Sequence, residues 1–340
     1  MALTEHPVRI LAALTGAAAL TLGLAACGAE EPDGGATDLP ELTIGLTYVP
    51  NVQFAPFYVA AQQGYFEDAG VDVTLRHHGE SEDLFGALAG GTEDVVVAGG
   101  DEMLQARSQG TPVVSIATLY QTYPVTLIVP EDSEIVSAAD LAGHSIGVPG
   151  PFGETYFGLL AMLDAAGLTT DDVTIEHVGF TQQSALAEGH VDAVMGYANN
   201  DIPQFRATGL AVRGVPIGTD IPLVGIGLGT TDDVLAAEPD ALAAVITAVG
   251  RAVADIAADP QVAADAAAEE VPGTMTAEQE AITLATAEET IPLYGDLEGP
   301  WGTQDDATWE QMVEFMTQTA LITAPVSASE AYTNDLIGAE

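Results

Sequence analysis

The chain contains no lysine and a single cysteine, Cys27, in its 340 residues. Arginine supplies all 6 of its fixed cations, against 51 acidic side chains and a formal net charge of −45. A surface of that sign repels nucleic acid and anionic lipid alike, which excludes a nucleic-acid partner. No GxSxG turn, HExxH helix or Walker phosphate loop occurs, so the common hydrolase, metalloprotease and nucleotide-binding signatures are missing. Aromatic residues are scarce as well, at 6%, and any place where they gather calls for a reason. The acidic excess itself reads as a solvated surface and says little about a ligand.

What is present begins with an apolar leader. Arg9 is followed by an uncharged run over 10–26 that is short for a membrane span and fits a secretory signal peptide over residues 1–26. The leader ends Leu24, Ala25, Ala26, Cys27, which resembles the bacterial lipoprotein box, in which the cysteine is lipidated and becomes the first residue after cleavage. With Cys27 used as an anchor, no disulfide, cysteine-ligated metal or thiol nucleophile remains. Neither a metal nor a cofactor is expected. Residues 27–40, rich in Gly, Pro, Asp and Glu, then form a flexible acidic tether.

From Glu41 the pattern alternates. Strand-like runs at 42–47, 71–75, 95–98 and 113–119 are separated by helical stretches at 55–63, 83–88 and 103–108. A second set follows Pro124, with strands at 125–129, 145–148, 173–177 and 193–196 and helices at 137–141 and 156–166. Another strand-like run lies at 223–228, after which the chain is helical, with an alanine-rich stretch at 241–258. The order is βαβ, so the fold class is α/β, with mostly parallel sheets covered by helices. With 48% hydrophobic residues and this length, two lobes are expected. Lobe I would hold 41–124 plus 225–340 and lobe II 125–224, joined by crossings near 123–129 and 222–227.

The stretch 48–66, YVPNVQFAPFYVAAQQGYF, follows the first strand with a loop of two prolines and side-chain amides, then an apolar helix stopped at Gly64. In open α/β sheets ligands bind at such strand ends. This stretch, and PVTLIVPEDSEIVSAADLAGHSIGVPG over 124–150, are similar to the thiamine-pyrimidine-precursor-binding family of ABC-importer substrate-binding proteins. The Pro-Asn-x-Gln-Phe-Ala-Pro-Phe-Tyr form is closest to its riboflavin-binding members. The resemblance covers about 42–321. It implies a periplasmic-binding-protein type 2 fold, two lobes with a two-segment hinge, closing over a small ligand.

Strand ends collect the candidate contacts. Tyr48, Phe54, Phe57, Tyr120, Tyr156 and Tyr197 offer ring faces, while Asn51, Gln53, Gln121, Asn199 and Asn200 offer amides. Together they fit a slot for a flat, neutral, hydrogen-bonding heterocycle. Phe54 and Phe57, beside an apolar helix, compete for places in the core. The turn Gly99, Gly100, Asp101, Glu102 and the segment 147–156, GVPGPFGETY, each place a helix start at the cleft, which suits an anion or an electron-rich ring. Asp101 there serves as a helix cap or a ligand contact, and Glu154 either favours the helix dipole or accepts from a ligand N–H. Glu80, Ser81 and Glu82 follow a strand end similarly. Trp301 would cap the cleft from the helical end, and Trp309 is read as packing. His77 and His78, without a metal-ligand partner nearby, read as exposed loop residues.

These expectations describe a lipid-anchored, extracytoplasmic, monomeric binding protein. The resemblance implies an ABC permease and separate ATPase subunits as its partners, and riboflavin or a thiamine-type pyrimidine as its ligand. An aliphatic sulfonate such as taurine is the alternative, for which Arg76 is the one arginine near a strand end. Relatives of this fold also include a fungal pyrimidine-forming enzyme, but that chemistry needs a cysteine-rich iron motif and a lysine for pyridoxal phosphate, both missing here. The chain is therefore read as a binder and not an enzyme.

Overall fold

Runs of β-branched residues bounded by Gly, Pro and Asn make the strands, as their pleated, half-buried setting favours. They are β1 (Glu41–Leu46), β2 (Asp72–His77), β3 (Val95–Gly99), β4 (Val113–Thr118), β5 (Val125–Pro130), β6 (Ser145–Val148), β7 (Thr174–His177), β8 (Ala193–Tyr197), β9 (Val212–Pro216) and β10 (Ile226–Thr231). The structure, a computed structural model, describes residues 39–79, 82–218, 221–271, 273 and 275–338. Cys27, the signal peptide, the tether up to 38, Glu80 and Ser81 lie outside the described residues.

Two five-stranded sheets form, in the orders β2-β1-β3-β10-β4 and β7-β6-β8-β5-β9. In the first, β1 runs parallel to β2 and β3, and β10 runs antiparallel to β3 and β4. The second repeats this plan, with β6 parallel to β7 and β8, and β5 antiparallel to β8 and β9. The reversed strand is in each case the first one after the chain has changed sheets. A strand that arrives from the other sheet enters at the cleft end, so it runs against its neighbours. The parallel strands consequently all point their carboxyl ends at the cleft, where ligands are expected.

The return begins later than the sequence pattern suggests. Residues 223–225 belong to the crossing: Gly225 O accepts from Gly100 N–H at 3.1 Å, and a Cβ on Gly225 would lie 2.5 Å from Tyr120 O. Only glycine lets the two backbones approach so closely. Strand β9 has no counterpart among the sequence expectations, because Arg213, Gly214 and Pro216 break its apolar pattern, as an edge position allows.

Each sheet has its own core. The first is covered by helix Pro239–Ala258, whose buried Leu242, Val245, Ile246, Val249, Val253 and Ile256 fall on one helical face. That helix is long and apolar enough to cross a membrane, but this face is packed in the core. A third cluster, with Leu104, Phe157, Leu223, Val224, Trp309 and Met312, joins elements of both sheets to helix Asp306–Gln318 at the crossings. Trp309 stacks on Tyr332 at 5.0 Å there, the packing role expected of it.

Candidate functional site

The site is built where β3 passes without a linker into helix Gly100–Ser108. Glu102 folds back, its Oε2 accepting from Gly99 N–H at 3.1 Å, while Glu102 N–H donates to Asp101 Oδ1 at 2.7 Å. Asp101 is fully buried, and its Oδ2 accepts from the Tyr123 hydroxyl at 2.6 Å. That hydroxyl also lies 3.0 Å from Glu154 O, at the start of helix Gly153–Ala165, which packs on β5 and β8 of the second sheet. The Tyr197 hydroxyl donates to Glu154 Oε2 at 2.6 Å. Glu154 Oε1 is buried with no protein partner. A Cβ on Gly99 would lie 2.5 Å from Asp101 Oδ1 and 2.9 Å from Glu154 Oε1, so both carboxyls converge on the bare face of that glycine.

Three carboxyls so placed resist ionising. Burial, then the neighbouring Glu102, pushes Asp101 well above the usual carboxylate range. Burial, then Asp101 and Glu102, does the same to Glu154. Glu102 rises to about 7, chiefly through burial. Burial and the adjacent carboxylates likewise raise the Tyr123 and Tyr197 hydroxyls. The cluster therefore retains protons near neutrality and can shift between donating and accepting.

Next to it lie rings and amides. Tyr120 is buried with its ring centroid 5.9 Å from that of Tyr294, and its hydroxyl faces Asn199 and Thr290. Asn199, fully buried, donates to Thr290 Oγ1 at 2.9 Å, and its Oδ1 has no protein partner. Asn199 follows β8 of the second sheet and Thr290 ends helix Ala277–Thr290, whose Ala287 packs in the first core, so this bond joins the two sides. Outward of it is a cavity of about 250 Å³ lined by Pro50, Asn51, Asn200, Gln204, Met275 and Thr286, among others.

The first loop is held by a directed relay. Asn51 N–H donates to the Tyr58 hydroxyl at 3.3 Å, which lies 3.0 Å from His77 Nε2. His77 Nδ1 is 2.9 Å from Tyr48 O. A carbonyl only accepts, so Nδ1 carries the proton and Nε2 accepts from Tyr58. The histidine pair is thus not the exposed loop feature that the sequence suggests. His77 ends β2 and braces the loop, while His78 is buried with Nε2 2.7 Å from Glu93 Oε1.

Of the predicted contacts, the structure brings Asp101, Tyr120, Glu154, Tyr197 and Asn199 together, and places Asn51 and Asn200 on the outer cavity. Tyr48 is 41% exposed, and Gln53 sits half-buried on the short turn capped by Asn51. Four expectations are corrected. Phe57 is 0% exposed in the first-lobe core. Gln121 directs its amide to Thr118 O and Thr303 O at 3.1 and 3.0 Å. Tyr156 packs among second-lobe core residues, 6.5 Å from Phe157. Trp301 lies against Gly250 of the long helix, which is packing. Glu102, Tyr123 and Tyr294 were not among the candidates. Glu102 lies in the turn over 99–102 and Tyr123 at the crossing near 123–129, where residue type and spacing mark neither as a contact.

Among the described residues no arginine reaches the cluster. The described arginines are all engaged elsewhere: Arg76 with Glu82 and Glu93, Arg107 with Asp232, Arg206 with Val212 O, Arg213 with Ser133 O and Ile135 O, and Arg251 with Asp68. Arg76, the one arginine that the sulfonate alternative could use, is therefore already paired. Among the described residues no group of three or more His, Cys, Asp or Glu is arranged to hold a metal ion.

Comparison with known proteins agrees with this architecture. The chain is 33% identical to the riboflavin-binding protein RibY of Chloroflexus aurantiacus over 88% of its own length and 86% of that protein. It is 25% identical to the formylaminopyrimidine-binding protein of Halalkalibacterium halodurans, over 87% and 90%. Among solved structures, the aliphatic sulphonate binding protein SsuA of Escherichia coli superposes with a TM-score of 0.68 at 17% identity, covering 85% of this chain and 91% of that one. The alkanesulfonate-binding protein SsuA of Xanthomonas axonopodis pv. citri gives 0.66 at 20%, over 86% and 98%. These establish the periplasmic-binding-protein fold. With residues 51–263 matching the family described as NMT1/THI5 like, and with that identity to RibY, the chain belongs to the NMT1/THI5-like family.

Proposed function

We propose that this protein is the lipid-anchored, extracytoplasmic binding component of an ABC importer and captures riboflavin between its two lobes. The observation that carries the reading is the 33% identity to a riboflavin-binding protein over most of both chains. The cleft chemistry supports it: Glu154 and Asn199 present buried acceptors, backed by the buried Tyr120 and Tyr294 pair of the first core. Such a site suits a flat heterocycle that carries N–H and O–H donors. Closure would follow from the ligand's higher affinity for the closed lobes, and the closed form would dock on a permease. A thiamine-type pyrimidine is the second reading, favoured by the 25% identity to a formylaminopyrimidine binder. A sulfonate is disfavoured because every described arginine is engaged elsewhere. An enzyme of the synthase kind would require a lysine the chain does not have.

Fluorescence quenching of riboflavin by the purified full-length chain tests the reading, with calorimetry against formylaminopyrimidine in parallel. Saturable quenching, weakened at least tenfold by Tyr197→Ala or Asn51→Ala, is expected. Pyrimidine binding alone would move the assignment to the second reading, and no response to either would overturn both. For the anchor, Cys27→Ser should release the chain from membranes.

A further inference from the structure

The helix starts that face the cleft are already occupied by the protein's own carboxyls. Glu102 takes the Gly99 N–H, Asp101 takes the Glu102 N–H, and Glu154 stands in the first turn of the opposing helix. The helix-start N–H groups that would otherwise bind an anion are thereby taken from within. Around them the unpaired buried atoms are acceptors, Glu154 Oε1 and Asn199 Oδ1, both carried by the segment of the second sheet. Glu154 is 2% exposed and Asn199 0%, so neither acceptor can be satisfied by bulk water.

We propose that Asp101, Glu102 and Glu154 are specificity-determining residues that admit a ligand rich in N–H and O–H donors and refuse its phosphate monoester. This rests on the vitamin-binding reading and deepens it: the free vitamin is captured and the phosphorylated coenzyme form is rejected. A phosphate adds a charge of roughly −1.5 to −2 near neutral pH. Inside the closed cleft that charge meets three buried carboxyls, helix-start N–H groups already taken by them and, among the described residues, no available arginine. Burying an anion with no paired cation lowers affinity by orders of magnitude. Discrimination on the order of a hundredfold is expected here. The donors of the free ligand, in contrast, satisfy the two buried acceptors, whose pairing is worth most where water is excluded.

Quenching titrations of the full-length chain with riboflavin and with riboflavin 5′-phosphate read this directly. The wild-type protein should bind the free form at least about a hundredfold more tightly. Glu154→Gln and Asp101→Asn keep the shape, cannot ionise and add an N–H donor, and each should narrow the gap by tenfold or more by strengthening phosphate-form binding relative to the free form. The wild-type comparison stands even if a variant fails to fold, and Glu102→Gln supplies a third, less buried position. Equal affinity of the two forms for the wild-type chain overturns this inference while leaving the riboflavin reading intact. An unchanged gap in folded variants overturns the role of the three residues. Binding of neither form overturns the riboflavin reading and this inference with it.

Discussion

At the scale of single residues, hydrogen-bond direction and burial decide most of what this cleft can do. The relay from Asn51 through Tyr58 and His77 to Tyr48 O is directional, so removing one hydroxyl breaks it in two places. Tyr58→Phe keeps the buried ring and leaves Asn51 N–H and His77 Nε2 without that partner. A stability loss of about 1 kcal/mol is expected. Ligand affinity should fall too, because the first loop carries Tyr48 and Asn51; a melt and a titration of the same variant separate the two effects. Unchanged affinity would place the loop outside the binding surface. Buried acids set the pH dependence. Folding raises Asp201 from 3.8 to about 6, mainly by burial, and Glu102 from 4.5 to about 7. A raised acid contributes stability that is complete below its unfolded value and is lost as pH rises through its folded value. Asp140, Asp172, Asp192 and Asp305 are held low chiefly by hydrogen bonds from neighbouring Ser, Thr and backbone groups and act in the opposite sense, losing their contribution in acid. The ligand-free melting temperature should therefore fall between about pH 5 and about pH 7.5. Glu102→Gln should flatten that slope, and a flat wild-type profile would show that these groups ionise freely.

At the scale of elements, the crossing 223–225 is the piece on which the others depend. Gly225 touches Tyr120 through its backbone and accepts from the first N–H of the helix that carries Asp101 and Glu102. Gly225→Ala would set a methyl 2.5 Å from Tyr120 O, which no rotamer change can relieve. A loss of about 1–3 kcal/mol is expected, together with weaker ligand binding, since Tyr120 and the acidic turn shift with it. A variant of wild-type stability would mean that the crossing gives way without strain. The alternation of strands and helices was legible in the sequence because β-branched runs and glycine stops are local signals. Strand β9 was not, since an edge strand tolerates Gly214 and Pro216. Site residues divide the same way. Asp101, Glu154, Tyr197 and Asn199 stand directly after strands or at helix starts, where topology alone puts them at the cleft. Tyr294 arrives from a distant helical turn, and Tyr123 earns its place only by reaching Asp101 in space. Gln121 and Phe57 carry suitable side chains, but whether a strand-end residue turns to the cleft or to the core is settled by packing that sequence spacing does not encode.

At the scale of the whole molecule, charge outweighs any individual pair. The exposed pairs Arg107 with Asp232 and Arg251 with Asp68 are each worth about 0–1 kcal/mol, and salt weakens them. Against them stands a formal net charge of −45, whose self-repulsion destabilises the compact state and is relieved by the same salt. The second effect should win because acidic side chains outnumber arginines by 51 to 6. Raising sodium chloride from about 0.01 M to about 1 M shortens the screening length from about 30 Å to about 3 Å. A gain on the order of 2 kcal/mol would lift the melting temperature by roughly 3 °C in a chain of this size. Sucrose, which strengthens burial without screening charge, serves as the control: it should not reproduce the steep low-salt part of the curve. If sodium chloride and sucrose act alike, or if salt lowers the melting temperature, the acidic surface is not a net source of strain in the fold. A rise confined to the low-salt range would assign the effect to repulsion, and would also mean that affinities measured at low ionic strength describe a molecule less stable than the one that works in salt.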